Sequence, residues 1–160
     1  MTKRKAQKYR PCVGIVLIKK GLVFAGQRID YRSDAWQMPQ GGIELRETPK
    51  KAALRELKEE TGVSRQNIEI VCQTDNWVQY ELPIELVPKL WGGKYIGQKQ
   101  KWYAINYFGS DAEINIHTDS PEFCAWKWMQ KEEILEKIVP FKQRVYENVF
   151  NEFSGKGCFD

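Results

Sequence analysis

Residues 41–63, GGIELRETPKKAALRELKEETGV, place three carboxylates, Glu56, Glu59 and Glu60, within little more than one helical turn. Residues at positions i, i+3 and i+4 lie on one face of a helix, so these side chains are expected to share one patch. Like charges at this spacing repel, and each pair costs an isolated helix a few tenths of a kcal/mol. The pattern predicts either a solvated acidic face or a site for a hard divalent cation such as Mg²⁺.

The residues around the carboxylates predict a helix with defined ends. Thr48 followed by Pro49 supplies a hydroxyl N-cap and a proline at the first helical position. Gly62 supplies a left-handed stop after Thr61. Two glycines ahead of the helix allow the tight turn that delivers Glu47.

The same stretch resembles a Nudix box, the signature of hydrolases that cleave a nucleoside diphosphate linked to another group. The signature reads Gly, five residues, Glu, seven residues, and then Arg-Glu-aliphatic-x-Glu-Glu-x-Gly-aliphatic. The resemblance implies an α/β fold, an α/β/α sandwich with a central mixed sheet flanked by helices, and a need for Mg²⁺, which Mn²⁺ or another divalent cation can replace. Every position is matched, by Gly41, Glu47, Arg55, Glu56, Leu57, Glu59, Glu60, Gly62 and Val63.

Shorter elements extend the resemblance over roughly residues 9–153, to one branch of the family. That branch contains bacterial RNA pyrophosphohydrolases and the related dinucleoside polyphosphate hydrolases. The matching elements are YRP at 9–11, WQMPQGG at 36–42, IGQKQKW at 96–102, PEF at 121–123 and PFK at 140–142.

The resemblance implies a set of metal ligands. Glu59 and Glu60 are expected to be the principal ligands, and Glu56 is expected to be either a ligand or the general base. Glu122 is expected to reach the metal from a loop, as a catalytic residue or a ligand. The backbone carbonyl of Gly41 is a further ligand in this interpretation.

Arg55 is predicted to point away from the carboxylates and to pair with Glu47, which would hold the preceding loop in place. The cations that match elements of the branch are expected to balance the substrate's phosphates. Phe141 is expected either to stack on a nucleobase or to anchor a helix start in the core, and Tyr80 is a second stacking residue. Gln98 and Gln100 either bind the substrate or order their loop. The phosphate-binding cations are predicted to be Arg10, Arg28, Lys99, Lys101 and Lys142.

The expected reaction converts 5′-triphosphorylated RNA to 5′-monophosphorylated RNA and so promotes mRNA decay. The alternative substrate is a dinucleoside polyphosphate, such as diadenosine tetra- or pentaphosphate, with ATP as a product. A remote alternative is a non-catalytic module that binds nucleotides, against which the intact box argues. The basic N-terminal residues favour RNA. Nothing in the sequence indicates an obligate protein partner.

The length of 160 residues predicts a single domain over residues 1–160. Residues 1–8 are expected to form a flexible basic arm, which either attracts the RNA backbone or is a solvated tail without function. The apolar run at residues 12–18 is too short to cross a membrane, and no signal-peptide core is present. A cytoplasmic location is therefore expected. The four scattered cysteines and the single histidine predict free thiols rather than a zinc site.

Hydrophobic patterning predicts the remaining elements. The segment at residues 82–98 is long and rich in proline and glycine, and it is predicted to be a substrate lid. A break at Pro140 is expected to separate the last two helices. Strands are predicted at 13–18, 22–28, 68–74, 77–80, 102–108 and 123–129, and helices at 131–138 and 141–153.

Overall fold

The computed structural model describes residues 8–29, 35–119 and 121–160. None of the helices in these residues is long and apolar enough to cross a membrane. The strands are β1 (Tyr9–Lys19), β2 (Leu22–Arg28), β3 (Trp36–Gln37), β4 (Gln40–Gly42), β5 (Ile68–Gln73), β6 (Val78–Glu81), β7 (Gly97–Tyr107) and β8 (Phe123–Met129), and the helices are α1 (Pro49–Thr61), α2 (Lys131–Lys137) and α3 (Gln143–Gly155).

The described strands form one mixed sheet with β1 and β7 at its centre. These two strands pair in parallel from Tyr9 opposite Gly97 to Ile18 opposite Asn106. On one side β2 pairs antiparallel with β1, β3 and β8. On the same side β4 pairs antiparallel with the first half of β1, and on the other side β5 and β6 pair antiparallel with successive parts of β7. The edge carrying β8 is therefore on the opposite side of the sheet from the edge carrying β6.

Both faces of the sheet are covered by helices, which confirms the predicted α/β/α sandwich. Ile15 and its neighbours on one face pack in a cluster with Leu57 of α1. Val16 and its neighbours on the other face pack in a second cluster with Val149 of α3. Because successive residues of a strand face opposite sides, a strand covered on both sides needs apolar residues at nearly every position. This requirement explains the uninterrupted apolar run of β1.

The observed elements differ from the predicted ones mainly where local signals are weak. The strand predicted at 102–108 begins earlier, at Gly97, because its polar first half pairs with β6. A 3₁₀ turn occupies Pro140–Lys142, so α3 begins at Gln143. The short strands β3 and β4 were not predicted. Residues 1–7 of the predicted basic arm lie outside the described residues, and the single-domain assignment over 1–160 stays a prediction.

One cysteine pair contradicts the prediction that all four thiols are free. Cys72 of β5 and Cys158 form a disulfide, with their Cα atoms 7.4 Å apart and 86 positions between them in the sequence. The cause is a tertiary contact, since the segment after α3 folds back against the sheet and its residues join the same apolar cluster. Cys12 and Cys124 are free. Burial raises the pKa of the Cys12 thiol to about 11.

The contact between Gly14 and the fully buried Trp102 leads to a stability prediction. A Cβ atom at Gly14 would lie 2.5 Å from two atoms of the Trp102 ring, so the ring or the strand would have to move. We expect Gly14→Ala to lower the free energy of unfolding by about 1–3 kcal/mol, as overpacking of a core does. Urea denaturation followed by circular dichroism measures the change.

Gly155→Ala is the matched control, because a Cβ atom at the end of α3 would meet open space. We expect this variant to be as stable as the parent or more stable by up to about 1 kcal/mol. Equal stability of the Gly14→Ala variant would contradict the close packing of β1 on Trp102.

Candidate active site

A cleft of about 420 Å³ lies between the carboxylates of α1 and the segment that joins β6 to β7. One part of its lining is polar and charged, and the other part is apolar. Such a combination suits a ligand with an anionic part and an aromatic part. The polar lining comprises Arg10, Arg28, Gln37, Gln40, Gly41, Gly42, Glu56, Glu60, Gln98, Glu122 and Lys142, and the apolar lining comprises Tyr80, Leu82, Leu86, Leu90, Trp91 and Phe141.

Helix α1 has the ends that its sequence predicts. The Thr48 hydroxyl accepts a hydrogen bond from the backbone N–H of Lys51, at 3.2 Å, and Pro49 is the first helical residue. Gly62 adopts a left-handed conformation with φ of 75°, and its N–H donates to the Lys58 carbonyl at 2.9 Å. The caps set where the helix begins and ends, and the packing of Ala53 and Leu57 in the core sets the direction in which each glutamate points.

The three box glutamates do not share one environment. Glu56 and Glu60 line the cleft, and Glu60 is only 4% exposed. The side chain of Glu59 is 49% exposed and is not part of the lining. The reason is helix geometry, since Glu60 is rotated from Glu56 by about 40° and Glu59 by about 60° in the opposite sense. Glu56 and Glu60 therefore face the cleft, whereas Glu59 lies beside Glu56 without lining the cleft.

Burial and mutual repulsion act together on the two cleft carboxylates. Loss of solvation raises the pKa of Glu60 well above its usual range, and the charges of Glu56 and Glu122 raise it further. Burial also raises the pKa of Glu56, against the opposing effect of Arg55. The Oε2 atom of Glu60 accepts a hydrogen bond from the backbone N–H of Gln40, at 3.2 Å. Glu122, from the segment before β8, thus belongs to the same acidic group.

This acidic group fits a hard cation by its chemistry, although it is not assembled as a metal cluster. No group of three or more His, Cys, Asp or Glu side chains among the described residues has the arrangement of a metal site. Carboxylates whose mutual repulsion raises their pKa values are stabilised by a nearby positive charge. A Cβ atom at Gly41 would overlap the Glu56 carboxylate, so the glycine permits close approach of backbone and carboxylate. The oxygen donors are those that Mg²⁺ prefers.

The sequence predicted that Arg55 points away from the carboxylates, and this prediction is wrong. Arg55 joins the carboxylates of α1 to the loop that precedes the helix. Its Nε and Nη2 atoms each donate to one oxygen of Glu47, both at 2.8 Å, which is the predicted pairing. Its Nη1 atom donates to Glu56 at 2.8 Å and to Glu59 at 3.2 Å. Nη2 also donates to the Gly42 carbonyl at 2.9 Å. The long side chain curves back over the helix, and its hydrogen bonds hold the pKa of Glu47 below its usual range.

Three of the five predicted phosphate-binding cations line the cleft, namely Arg10, Arg28 and Lys142. The other two, Lys99 and Lys101, are not part of the cleft lining, so the cleft itself does not support their predicted contact with the substrate's phosphates. Their ammonium groups lie over the ring of Trp77 instead. They are on β7, where successive side chains face opposite sides of the sheet, and Gln98 takes the side toward the cleft.

A chain of buried amides supports this part of the cleft. The indole N–H of Trp102 donates to Gln100 Oε1 at 2.8 Å. Gln100 Nε2 donates to Gln98 Oε1 at 2.7 Å and to Gln40 Oε1 at 3.3 Å. Gln100 therefore orders its neighbours, whereas Gln98 lines the cleft itself.

The apolar wall combines a predicted aromatic pair with residues that sequence reasoning missed. The rings of Tyr80 and Phe141 are 5.9 Å apart between centroids, and both line the cleft while packing on the core cluster of α3. Phe141 therefore packs on the core, and its stacking on a nucleobase stays a prediction. The guanidinium group of Arg10 lies 5.2 Å from the ring centroid of Trp91. The missed residues belong to the predicted lid, and the available signal was the four-residue spacing of its leucines. These residues are Leu82, Leu86, Leu90 and the adjacent Trp91.

Comparisons with solved structures agree with this architecture. An Ap4A hydrolase from C. elegans, in a binary complex, matches with a TM-score of 0.64 and 20% identity, over 90% of this chain and 98% of that one. The dihydroneopterin triphosphate pyrophosphohydrolase of E. coli matches with a TM-score of 0.64 and 20% identity, over 89% of this chain and 97% of that one. At these identities the likeness concerns the fold alone.

Sequence comparisons identify much more similar proteins. An RNA pyrophosphohydrolase of Cereibacter sphaeroides is 56% identical over 146 residues, 91% of this chain and 90% of that protein. The RNA pyrophosphohydrolase of Dinoroseobacter shibae is 53% identical over 91% of this chain and 92% of its own length. The model of the NUDIX domain matches residues 8–149. The chain therefore belongs to the NUDIX domain family.

Proposed function

We propose that this protein is an RNA pyrophosphohydrolase, which hydrolyses the 5′-triphosphate of RNA and leaves a 5′-monophosphate. The observation that carries the proposal is the cleft, whose lining combines an acidic group, three cations and an aromatic wall. The names and the identities of the relatives support the choice of RNA. With RNA as the substrate, we further predict a role in mRNA decay and a cytoplasmic location.

The acidic group would hold the divalent cation, Mg²⁺ in our proposal, with Mn²⁺ as a substitute. Its ligands would come from Glu56, Glu60, Glu122 and the carbonyl of Gly41. A cation there neutralises phosphate charge and lowers the pKa of a bound water. Glu59 would join the ligands only if its side chain left Arg55, with which it now forms a hydrogen bond of 3.2 Å.

The chain's other residues bind and orient the substrate. Arg10, Arg28 and Lys142 would bind the phosphates through charge-assisted hydrogen bonds. The wall formed by Tyr80 and Phe141 would stack against the first nucleobase, because base–aromatic stacking tolerates every base. The lid side chains of that wall would shield the site from bulk water and leave room for the water that hydrolysis consumes.

The second candidate is hydrolysis of dinucleoside polyphosphates. The same cleft favours it, since such a substrate also presents a nucleoside next to a chain of phosphates. Lining residues alone do not distinguish the two substrates, so product analysis decides between them.

The first test offers purified protein and Mg²⁺ either 5′-triphosphorylated RNA or diadenosine tetraphosphate, at matched concentrations. We expect monophosphorylated RNA with pyrophosphate or orthophosphate as the main products, because the sequence relatives are RNA pyrophosphohydrolases. Chromatography of the nucleotides and gel analysis of the RNA measure both reactions. ATP from the dinucleotide together with intact RNA would establish the second candidate instead.

Replacing a cleft carboxylate tests the acidic group. We expect Glu60→Gln to lower kcat by about 100-fold or more, because a buried ligand or base is lost. The folded protein should be as stable as the parent or more stable, since the substitution removes the repulsion that raises the pKa of Glu60. Initial rates and thermal unfolding measure the two effects. Near-normal turnover would exclude Glu60 from the metal site.

Arg55→Lys tests whether the planar guanidinium group, with its several N–H donors, positions the carboxylates of Glu47 and Glu56. The substitution keeps the charge but cannot reproduce the bidentate pairing with Glu47. We expect kcat to fall by up to about 100-fold, because displacement of a catalytic group by about 1 Å has that effect. Arg65→Lys, at an exposed position, is the matched control. Equal rates for the two variants would show that charge alone matters at position 55.

A further inference from the structure

We propose that a surface outside the cleft, formed by Trp77, Lys99 and Lys101, binds the RNA chain downstream of its 5′ end. We call this surface the Trp77 patch. The proposal rests on the proposed function, and it extends recognition from the triphosphate end to the body of the RNA.

The patch combines an exposed aromatic ring with two ammonium groups. Trp77 is 37% exposed, and it is the only tryptophan among the exposed large apolar side chains of the described residues. The Nζ atoms of Lys99 and Lys101 lie 4.8 Å and 5.4 Å from the ring centroid. Lys101 is further fixed by a hydrogen bond of 3.2 Å from its Nζ atom to the Asp75 carbonyl. These contacts hold two positive charges beside one ring.

The charges of the patch are not neutralised by acidic side chains. In the part of the chain that the structure describes, neither Lys99 nor Lys101 forms an ion pair with a carboxylate. The nearby Asp75 carboxylate pairs with Lys156 at 2.9 Å, and Lys156 also binds Glu152 at 2.8 Å. The two lysines are therefore available to an anionic partner.

An aromatic ring beside cations is the combination that binds single-stranded nucleic acid. The ring stacks on an unpaired base, and the ammonium groups contact the phosphates on either side. A dinucleoside polyphosphate offers no chain beyond its second nucleoside, whereas an RNA continues past the cleft. The chemistry of the patch thus selects a single-stranded RNA.

The position of the patch allows one RNA chain to reach both surfaces. Trp77 directly precedes β6, an edge strand whose Tyr80 lines the cleft three residues later. Three residues span at most about 10 Å. On β7, Lys99 faces the opposite side from Gln98, which lines the cleft. An RNA that leaves the cleft across the β6 edge would meet the patch within a few nucleotides.

The test compares substrates that differ only in length, in the full-length protein. Trp77→Ala and the double variant Lys99→Ala/Lys101→Ala are assayed with a 5′-triphosphorylated 20-nucleotide unstructured RNA and with a 5′-triphosphorylated dinucleotide. We expect KM for the long RNA to rise by about fivefold or more in each variant, as loss of one stacked base does. The kcat values and the KM for the dinucleotide should not change.

Salt dependence supplies a second measurement. Removal of two phosphate contacts from a single strand should lower the slope of log affinity against log salt by about 1.4 for the double lysine variant. Trp77→Phe should restore most of the affinity lost in Trp77→Ala, because a smaller ring still stacks. Thermal unfolding of each variant checks that the fold is intact.

Lys127→Ala/Lys137→Ala is the matched control for charge. Both lysines pair with Glu133, at 3.2 Å and 3.5 Å, and Lys127 also lies over a tryptophan ring, that of Trp36. This pair lies near the β8 edge, across the sheet from β6. The control removes the same amount of positive charge from a different surface. It should therefore leave the KM for the long RNA near the parent value.

Two outcomes would overturn the proposal: an unchanged KM for the long RNA, or an equal rise for both substrates, which would show that the residues act through the cleft. Binding of a 5′-hydroxyl 20-nucleotide RNA, followed by fluorescence anisotropy, separates the patch from the reaction. If the parent protein fails to hydrolyse triphosphorylated RNA, the proposed function is wrong. The patch then stands if its variants weaken this binding by about fivefold or more, and falls if they do not.

Discussion

The hydrogen bonds of Arg55 are the constraint on which the site depends. One guanidinium group donates hydrogen bonds to both oxygens of Glu47, to the carbonyl of Gly42 and to the carboxylates of Glu56 and Glu59. It therefore joins the loop before α1 to the helix that carries the catalytic candidates. Without this link, the repulsion between Glu56 and Glu59 would not be offset, and Glu47 would lose its contact with α1. The planar five-donor group is what makes so many simultaneous contacts possible.

The acidic, basic and aromatic residues of the cleft lie in different environments. Burial and repulsion raise the pKa values of Glu56 and Glu60, although Arg55 opposes this effect at Glu56, and a bound cation would offset the repulsion. Arg10, Arg28 and Lys142, the proposed phosphate-binding cations, come from other elements and line the same cleft. The rings of Tyr80 and Phe141 pack on the core cluster of α3, and this packing positions them without a bound nucleobase. Side chains that are ordered before the substrate binds lower the entropic cost of binding.

Strand alternation has a direct consequence for how RNA would be bound. Gln98 and Gln100 turn to the side where the cleft lies, and Lys99 and Lys101 turn to the side where Trp77 is exposed. One short segment of β7 thus contributes to two surfaces with different chemistry. Hydrogen bonds among Gln98, Gln100 and Trp102 hold the side chains on the cleft side of this segment.

The sequence by itself determined the family, the α/β/α sandwich, the ends of α1 and the pairing of Arg55 with Glu47, because caps, glycines and box spacings act over a few residues. Only the tertiary structure decided that Glu59 lies outside the cleft, that two predicted phosphate-binding lysines face away from it, and that Cys72 meets Cys158. These outcomes follow from helix rotation, strand register and contacts between residues distant in sequence. No local pattern encodes them, since each depends on where another element packs.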